Sequence, residues 1–306
     1  MRPALSVLLL TTLIGAGQGL YLALVALDVF GDASPRLLVA GAALSVALLV
    51  GGLGASFLHL GRPERAWRSA AMWRTSWLSR EVIVLPALIA VVFAWGIAHH
   101  FGLSRDAIVG LDIAGALLAV ALFICTGMIY ACLRFLQEWH TALTPINYAA
   151  LGCASGLTAA AALAAWLQPA FAHPYAAVAL LVGLLAYVMR LAALARNARL
   201  RPKSTLATAI GVKHPRIVQI AQGAMGGSFN TREFFHGRPR EVVRAVRWIF
   251  LALVFPVPGV LLVLRPESAP LLTAAFLVQF AGLLAERWYF FADARHPQNL
   301  YYQAIS

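Results

Sequence analysis

Ile108–Leu133 reads IVGLDIAGALLAVALFICTGMIYACL, twenty-six residues carrying a single charge, Asp112. About 20 mostly apolar residues suffice to cross a bilayer as a helix, so this stretch is read as a membrane span. Working outward, seven more runs qualify: 5–29, 37–58, 82–98, 146–167, 175–189, 248–264 and 270–285. The sixth and eighth in chain order, 175–189 and 270–285, are short and need snorkelling flanks to span. Met1, Arg2 and Pro3 precede a run that imitates a signal peptide, but its apolar stretch is too long for one. It is read as the first helix, retained. The expected fold is all-α: a polytopic membrane protein, a single domain over 1–306 built as a bundle of eight transmembrane helices.

Composition supports this class. Of 306 residues, 61% are of the types AVILMFWYC and 12% are charged, against about a quarter charged in an average soluble domain. The charges are lopsided, 24 Lys plus Arg against 12 Asp plus Glu. A chain this apolar is not a soluble nucleic-acid binder, and its net charge of +12 is explained as loop charge between spans. Three cysteines, all in apolar stretches, exclude a disulfide framework.

Eight spans put both termini on one face. With that layout 21 of the 24 basic residues fall on the terminal face, and only Arg36, Arg105 and Arg265 on the other. The rule that short basic loops stay inside then predicts cytoplasmic termini. Two cytoplasmic loops, 59–81 and 196–247, exceed what a connector needs, and the second contains the Gly-rich Gln222-Gly-Ala-Met-Gly-Gly-Ser228. His59-Leu-Gly-Arg-Pro63 is echoed by His236-Gly-Arg-Pro239, for which chance is the simpler account.

Metal chemistry finds little support. No span carries a histidine near its centre, so intrinsic haem is not expected. Cys125, Cys132 and Cys153 lack the spacing of an iron–sulfur or zinc site, and small-residue packing is their simpler role. No Walker loop, hydrolase elbow or metalloprotease motif occurs. Gln18 lies in Gly15-Ala-Gly-Gln-Gly19, read first as a close-packing motif. Asp28 and Asp112 are expected to reach the low-charge interface. No ladder of carboxylates crosses the bilayer, which argues against an ion-coupled transporter.

The densest polar cluster joins the second and third spans: His59-Leu-Gly-Arg-Pro-Glu-Arg-Ala-Trp-Arg68, then Trp73 and Trp77-Leu-Ser-Arg-Glu81. Pro63 suits a helix start, so 63–71 is expected to form a short interfacial helix. Its bland reading is a membrane-surface helix with an aromatic belt. The sharper reading rests on His59 and Glu81, which end consecutive spans and can meet at the membrane surface. Histidine can donate to a quinone carbonyl and exchange protons near neutrality. A carboxylate beside it can relay those protons to water.

The same residues resemble a known family. Phe57-Leu-His-Leu-Gly-Arg-Pro63, Arg65-Ala-Trp67 and Trp77-Leu-Ser-Arg-Glu81 are similar to the signature of the DmsC family, the membrane anchors of dimethyl sulfoxide reductase-like molybdoenzymes. The resemblance implies that the chain binds a quinone, menaquinone or ubiquinone, and carries no haem or iron–sulfur cluster of its own. It further implies a partner iron–sulfur subunit with four clusters and a molybdopterin catalytic subunit. The family histidine maps onto His59 and its glutamate onto Glu81; Arg62, Arg65 and Trp77 complete the expected quinone site. Tyr130, Arg134, Glu286 and Arg287, at the basic ends of spans four and eight, are secondary candidates from their position.

The segment Gly226-Gly-Ser-Phe-Asn-Thr-Arg-Glu-Phe-Phe-His236 and the tail Ala294–Tyr302 resemble instead the SoeC branch, the anchors of quinone-linked sulfite dehydrogenases. The expected function is therefore a quinone-reactive anchor, non-catalytic for the terminal substrate. The alternatives are an anchor of a dimethyl sulfoxide reductase-type, menaquinol-oxidising complex, an anchor that binds no quinone itself, and a transporter or lipid-binding membrane protein.

Overall fold

The computed structural model describes residues 1–218, 220 and 234–301. The Gly-rich 222–228 segment, most of 226–236 and Tyr302 lie outside the described residues.

Eight helices are long and apolar enough to cross a membrane, and no strand occurs among the described residues. They comprise α1 (Leu5–Phe30), α2 (Pro35–Phe57), α3 (Trp77–Phe101), α4 (Arg105–Ala131), α5 (Leu143–Leu167) and α6 (Ala172–Ala198). After the short α7 (Leu206–Ile210), the seventh span is broken into α8 (Arg240–Val254) and α9 (Pro256–Leu264), and α10 (Ala269–Asp293) is the eighth. A last turn, α11 (Gln298–Tyr301), follows.

Several boundaries trace to single residues. Ser34 Oγ accepts the Leu37 N–H and Ser76 Oγ the Ser79 N–H, capping α2 and α3 by satisfying donors that a helix start leaves open. Gly102, at φ 62°, ends α3 in the left-handed conformation. The break at Phe255 arises because Pro256 and Pro258 lack N–H donors and clash with the preceding turn.

Helices α1 and α5 form the buried centre, with α2, α4, α6 and α10 packed around them. Lipid is as apolar as leucine, so close backbone approach rather than apolar burial holds such a bundle together. Glycines permit that approach here. A Cβ on Gly156 would fall 2.1 Å from the Gly19 carbonyl carbon, and one on Gly19 would fall 2.2 Å from the Gly152 oxygen. Gly19 and Gly156 therefore mark where α1 and α5 touch. The termini share a face in the described chain: the Met1 amino nitrogen donates to the Phe291 and Ala294 carbonyls.

Three local expectations change. The expected interfacial helix over 63–71 is a 3-10 helix, Pro63–Met72, with no buried residue. Asp112 does not reach the interface. It is buried and accepts a 2.7 Å hydrogen bond from Trp95 Nε1, because it shares the inward face of α4 with Gly115, Ala119 and Leu122. Asp28, by contrast, sits at the end of α1 as expected, paired with the exposed Arg105 at the start of α4 and 3.8 Å from His99 Nε2. The sixth span does not end at residue 189. It continues to Ala198, because Leu191–Leu194 prolong the apolar run past a single arginine.

Candidate functional site

Helix α3 turns one line of side chains inward: Glu81, Leu85, Leu88, Val92, Trp95 and His99 are all buried at three- and four-residue steps. Glu81 is the first member of that line. Its placement inside the bundle is thus set by the period of the helix that Ser76 caps. Glu81 is 5% exposed and accepts a hydrogen bond from Thr126 Oγ1 of α4. Trp77, one turn earlier, is half-buried beneath the Arg80 guanidinium, 4.2 Å from the ring centre. Arg80 also donates to the Trp73 and Arg74 carbonyls, which ties the 3-10 segment to the start of α3.

Thr126 and Tyr130 are one turn apart on α4, and Tyr130 opens a second group. Its ring stacks on Tyr148 of α5 at 5.6 Å and meets Trp139, Phe290 and Phe291 edge-on at 5.2 to 5.4 Å. Glu81 lies within electrostatic reach of both tyrosines. The Arg287 guanidinium lies over the Tyr148 ring at 3.7 Å. Glu286, beside it, is held by Arg190 at 2.8 Å and by Arg287 at 3.2 Å. Glu286 is 1% exposed and the two arginines 4% each. The buried polar series Glu81, Thr126, Tyr130, Tyr148, Arg287, Glu286 and Arg190 therefore occupies neighbouring positions on α3, α4, α5, α10 and α6, joined by hydrogen bonds, ring contacts and ion pairs rather than by one continuous hydrogen-bonded chain.

Of the residues expected from sequence, Glu81, Tyr130, Glu286 and Arg287 are buried in this series. His59, Arg62, Arg65 and Arg134 are exposed. Arg65 contacts Glu64 at 3.9 Å across a solvent-facing gap. Among the described residues no hydrogen bond or ion pair joins His59 to Glu81. The two candidate groups thus sit at different depths, with His59 on the turn outside α2 and Glu81 inside the bundle.

Thr126, Tyr148, Arg190 and Glu138 were not singled out in the sequence. Arg190 had a legible signal: it falls on one helical line with Ala186 and Ala193, inside an apolar run. Glu138 had none, because its position depends on how the 132–142 turn folds back against α10.

Two cavities open near the series. The larger, about 820 Å³, lies at the terminal ends of α6, α8 and α10. Arg240, Arg244 and Arg247 of α8 line it together with Glu138 and Asp293. The smaller, about 20 Å³, is bounded by Thr144, Asn147, Tyr148, Arg190, Glu286 and Arg287. Glu138 and Asn197 line both. Burial pushes the Glu138 carboxyl above its ordinary value, and Asp293 adds to the shift, while backbone N–H donors and Arg295 oppose it.

No group of three His, Cys, Asp or Glu side chains is placed to share a metal ion among the described residues. Cys125 is buried, Cys132 exposed and Cys153 half-buried, all as free thiols.

The sequence has counterparts among known proteins. The chain is 53% identical to the C subunit of the sulfite dehydrogenase of Allochromatium vinosum over 325 aligned positions, covering the whole of both chains. Residues 2–302 match the family model described as DMSO reductase anchor subunit (DmsC). The match takes in the His59–Glu81 motif and all eight apolar helices, and this chain belongs to the DmsC family of membrane anchor subunits.

Proposed function

We propose that this protein is the quinone-reactive membrane anchor of a molybdopterin and iron–sulfur oxidoreductase complex, of the type that oxidises sulfite. The observation that carries the reading is Glu81. A carboxylate buried at the end of a span is expensive in a membrane protein and marks function by default. Here it accepts from the Thr126 hydroxyl, and no ion pair joins it to a cation among the described residues. Those residues fit a quinone head group, which needs apolar walls, a hydrogen-bond donor and a proton-exchanging acid.

In this reading quinone enters laterally at the basic face. His59 donates to one carbonyl from the turn after α2, and Trp77 forms a wall. Arg62 and Arg65 make the local potential more positive, and Glu81 exchanges protons from the protein side. A bound quinone supplies two-electron, two-proton chemistry. Electrons pass to or from the nearest cluster of a four-cluster iron–sulfur subunit docked over the two long loops, which connects in turn to the molybdopterin subunit. The 21 basic residues on the terminal face would place that face in the cytoplasm of a bacterial inner membrane.

The sulfite assignment extends to this chain the printed function of its 53% identical relative. The menaquinol-oxidising alternative differs in electron direction and not in the site. The test is quinone turnover by the purified complex, divided by its dye-linked rate, which reports how much complex has assembled. His59→Leu should lower that ratio by about 10²-fold, within the range for a positioned acid–base group. An unchanged ratio would reject His59 as a quinone ligand.

A further inference from the structure

Quinone chemistry moves protons as well as electrons, so a site inside the bundle needs a path to water. The turn between α4 and α5 bears on this. Glu138 and Asn197 form the wall between the open 820 Å³ vestibule and the enclosed 20 Å³ cavity. Behind that wall stand Thr141, Thr144, Asn147, Arg190 and Glu286. Two buried polar atoms of these residues, Asn147 Oδ1 and Arg190 Nε, make no hydrogen bond, and Glu286 Oε2 has only the 3.2 Å ion pair to Arg287. A polar space of this size admits one water, and a buried water bonds two to four such groups.

We propose that Glu138, a water in the small cavity and Glu286 form the proton route between the aqueous vestibule and the buried polar series. The inference rests on the quinone reading and adds the residue through which its protons pass. When quinone is reduced, two electrons arrive from the partner's iron–sulfur cluster and two protons come from water at the terminal face. Each carbonyl becomes a hydroxyl. Glu138 takes a proton from the vestibule and passes it through the enclosed water toward Glu286, and is then reprotonated. Oxidation of quinol runs the same steps backwards.

The surroundings of Glu138 suit the task. Burial keeps its carboxyl above the ordinary range, closer to the pH at which it both binds and releases protons. Asp293 and Arg295 face it from the end of α10, and the Met1 ammonium from the chain start. Arg240, Arg244 and Arg247 of α8 line the same vestibule, as do Lys203, His236 and His296. Behind it lies the Arg190, Glu286 and Arg287 triad.

The test uses the assembled complex, again dividing quinone turnover by the dye-linked rate. Glu138→Gln should lower the ratio about tenfold or more, with the loss growing as pH rises and protons become scarce. Formate, a small weak acid, should restore part of the rate, and Glu138→Asp should retain most of it. A purely structural role for Glu138 would show no formate rescue and no change in pH profile, and either result overturns the route. If the wild-type complex turns over no quinone, the quinone reading itself fails, so the two failures are distinguishable.

Discussion

Arg190 of α6 and Glu286 of α10 meet at 2.8 Å with 5% and 1% of their side chains exposed. Between them they hold the two helices in register at the depth of the Tyr148 ring. Glu286 shares its second oxygen with Arg287, so one carboxylate compensates two buried cations. The guanidinium of Arg190 also lies 5.3 Å from the Phe250 ring and 5.9 Å from that of Tyr289, where aromatic faces offset part of its burial cost.

Removing one partner of that pair should be costly. Arg190→Ala leaves Glu286 with a single cation, and breaking a buried pair typically costs about 3–5 kcal/mol. Thermal unfolding of the detergent-solubilised protein should show a much lower midpoint. An unshifted midpoint would mean that the pair contributes little to the fold.

The α1–α5 crossing predicts a steep dependence on one methyl group. Gly156→Ala would drive a Cβ to 2.1 Å from the Gly19 backbone, which rigid helices cannot absorb without separating. Folded yield in the membrane should collapse. Gly54→Ala, with nothing within 4 Å of its Cβ, is the control and should accumulate like the wild type.

Thr126→Val keeps the shape but removes the hydroxyl that donates to Glu81. An unpaired buried acceptor costs about 1–3 kcal/mol. Quinone turnover should fall roughly tenfold at neutral pH, with Thr126→Ser close to wild type. Equal turnover in both variants would separate the Glu81–Thr126 contact from the quinone reaction.

On the opposite face, Trp95→Phe should destabilise by about 1–3 kcal/mol, since the buried Asp112 then loses its indole donor. Asp112→Asn keeps an acceptor for Trp95 and should melt near the wild type. The comparison of the two midpoints is the measurement.

Glu138 sets a pH dependence of stability. Its carboxyl is raised in the folded chain by burial, so the folded state binds its proton more tightly than the unfolded state. That contribution is fully present below the ordinary carboxylate value and is lost as pH rises through the folded one. Unfolding midpoints of Glu138→Gln relative to wild type should therefore improve from acidic to neutral pH. A constant difference would contradict the shift.

Hydropathy and charge along the chain determined eight helices and a strongly basic terminal face. Bilayer thickness imposes a length that any apolar run displays locally, and loop charge is additive. His59-Leu-Gly-Arg-Pro63 and Trp77-Leu-Ser-Arg-Glu81 were legible for the same reason, as short motifs with fixed spacing. Glu81 was expected at the membrane surface, and the structure instead places it inside the bundle, first in the buried line of α3. The burial of Asp112 and the position of Glu138 were not legible, and Arg190 showed only its place on an apolar helical line, not its partner. A lone charge beside an apolar run reads as a loop residue or an interface residue until its neighbours are known. What buries Arg190 is Glu286 on another span, what buries Asp112 is Trp95, and what encloses Glu138 is the turn folded against α10. The tertiary structure alone decided those pairings, because a charge enters a membrane bundle only where a distant segment supplies its partner.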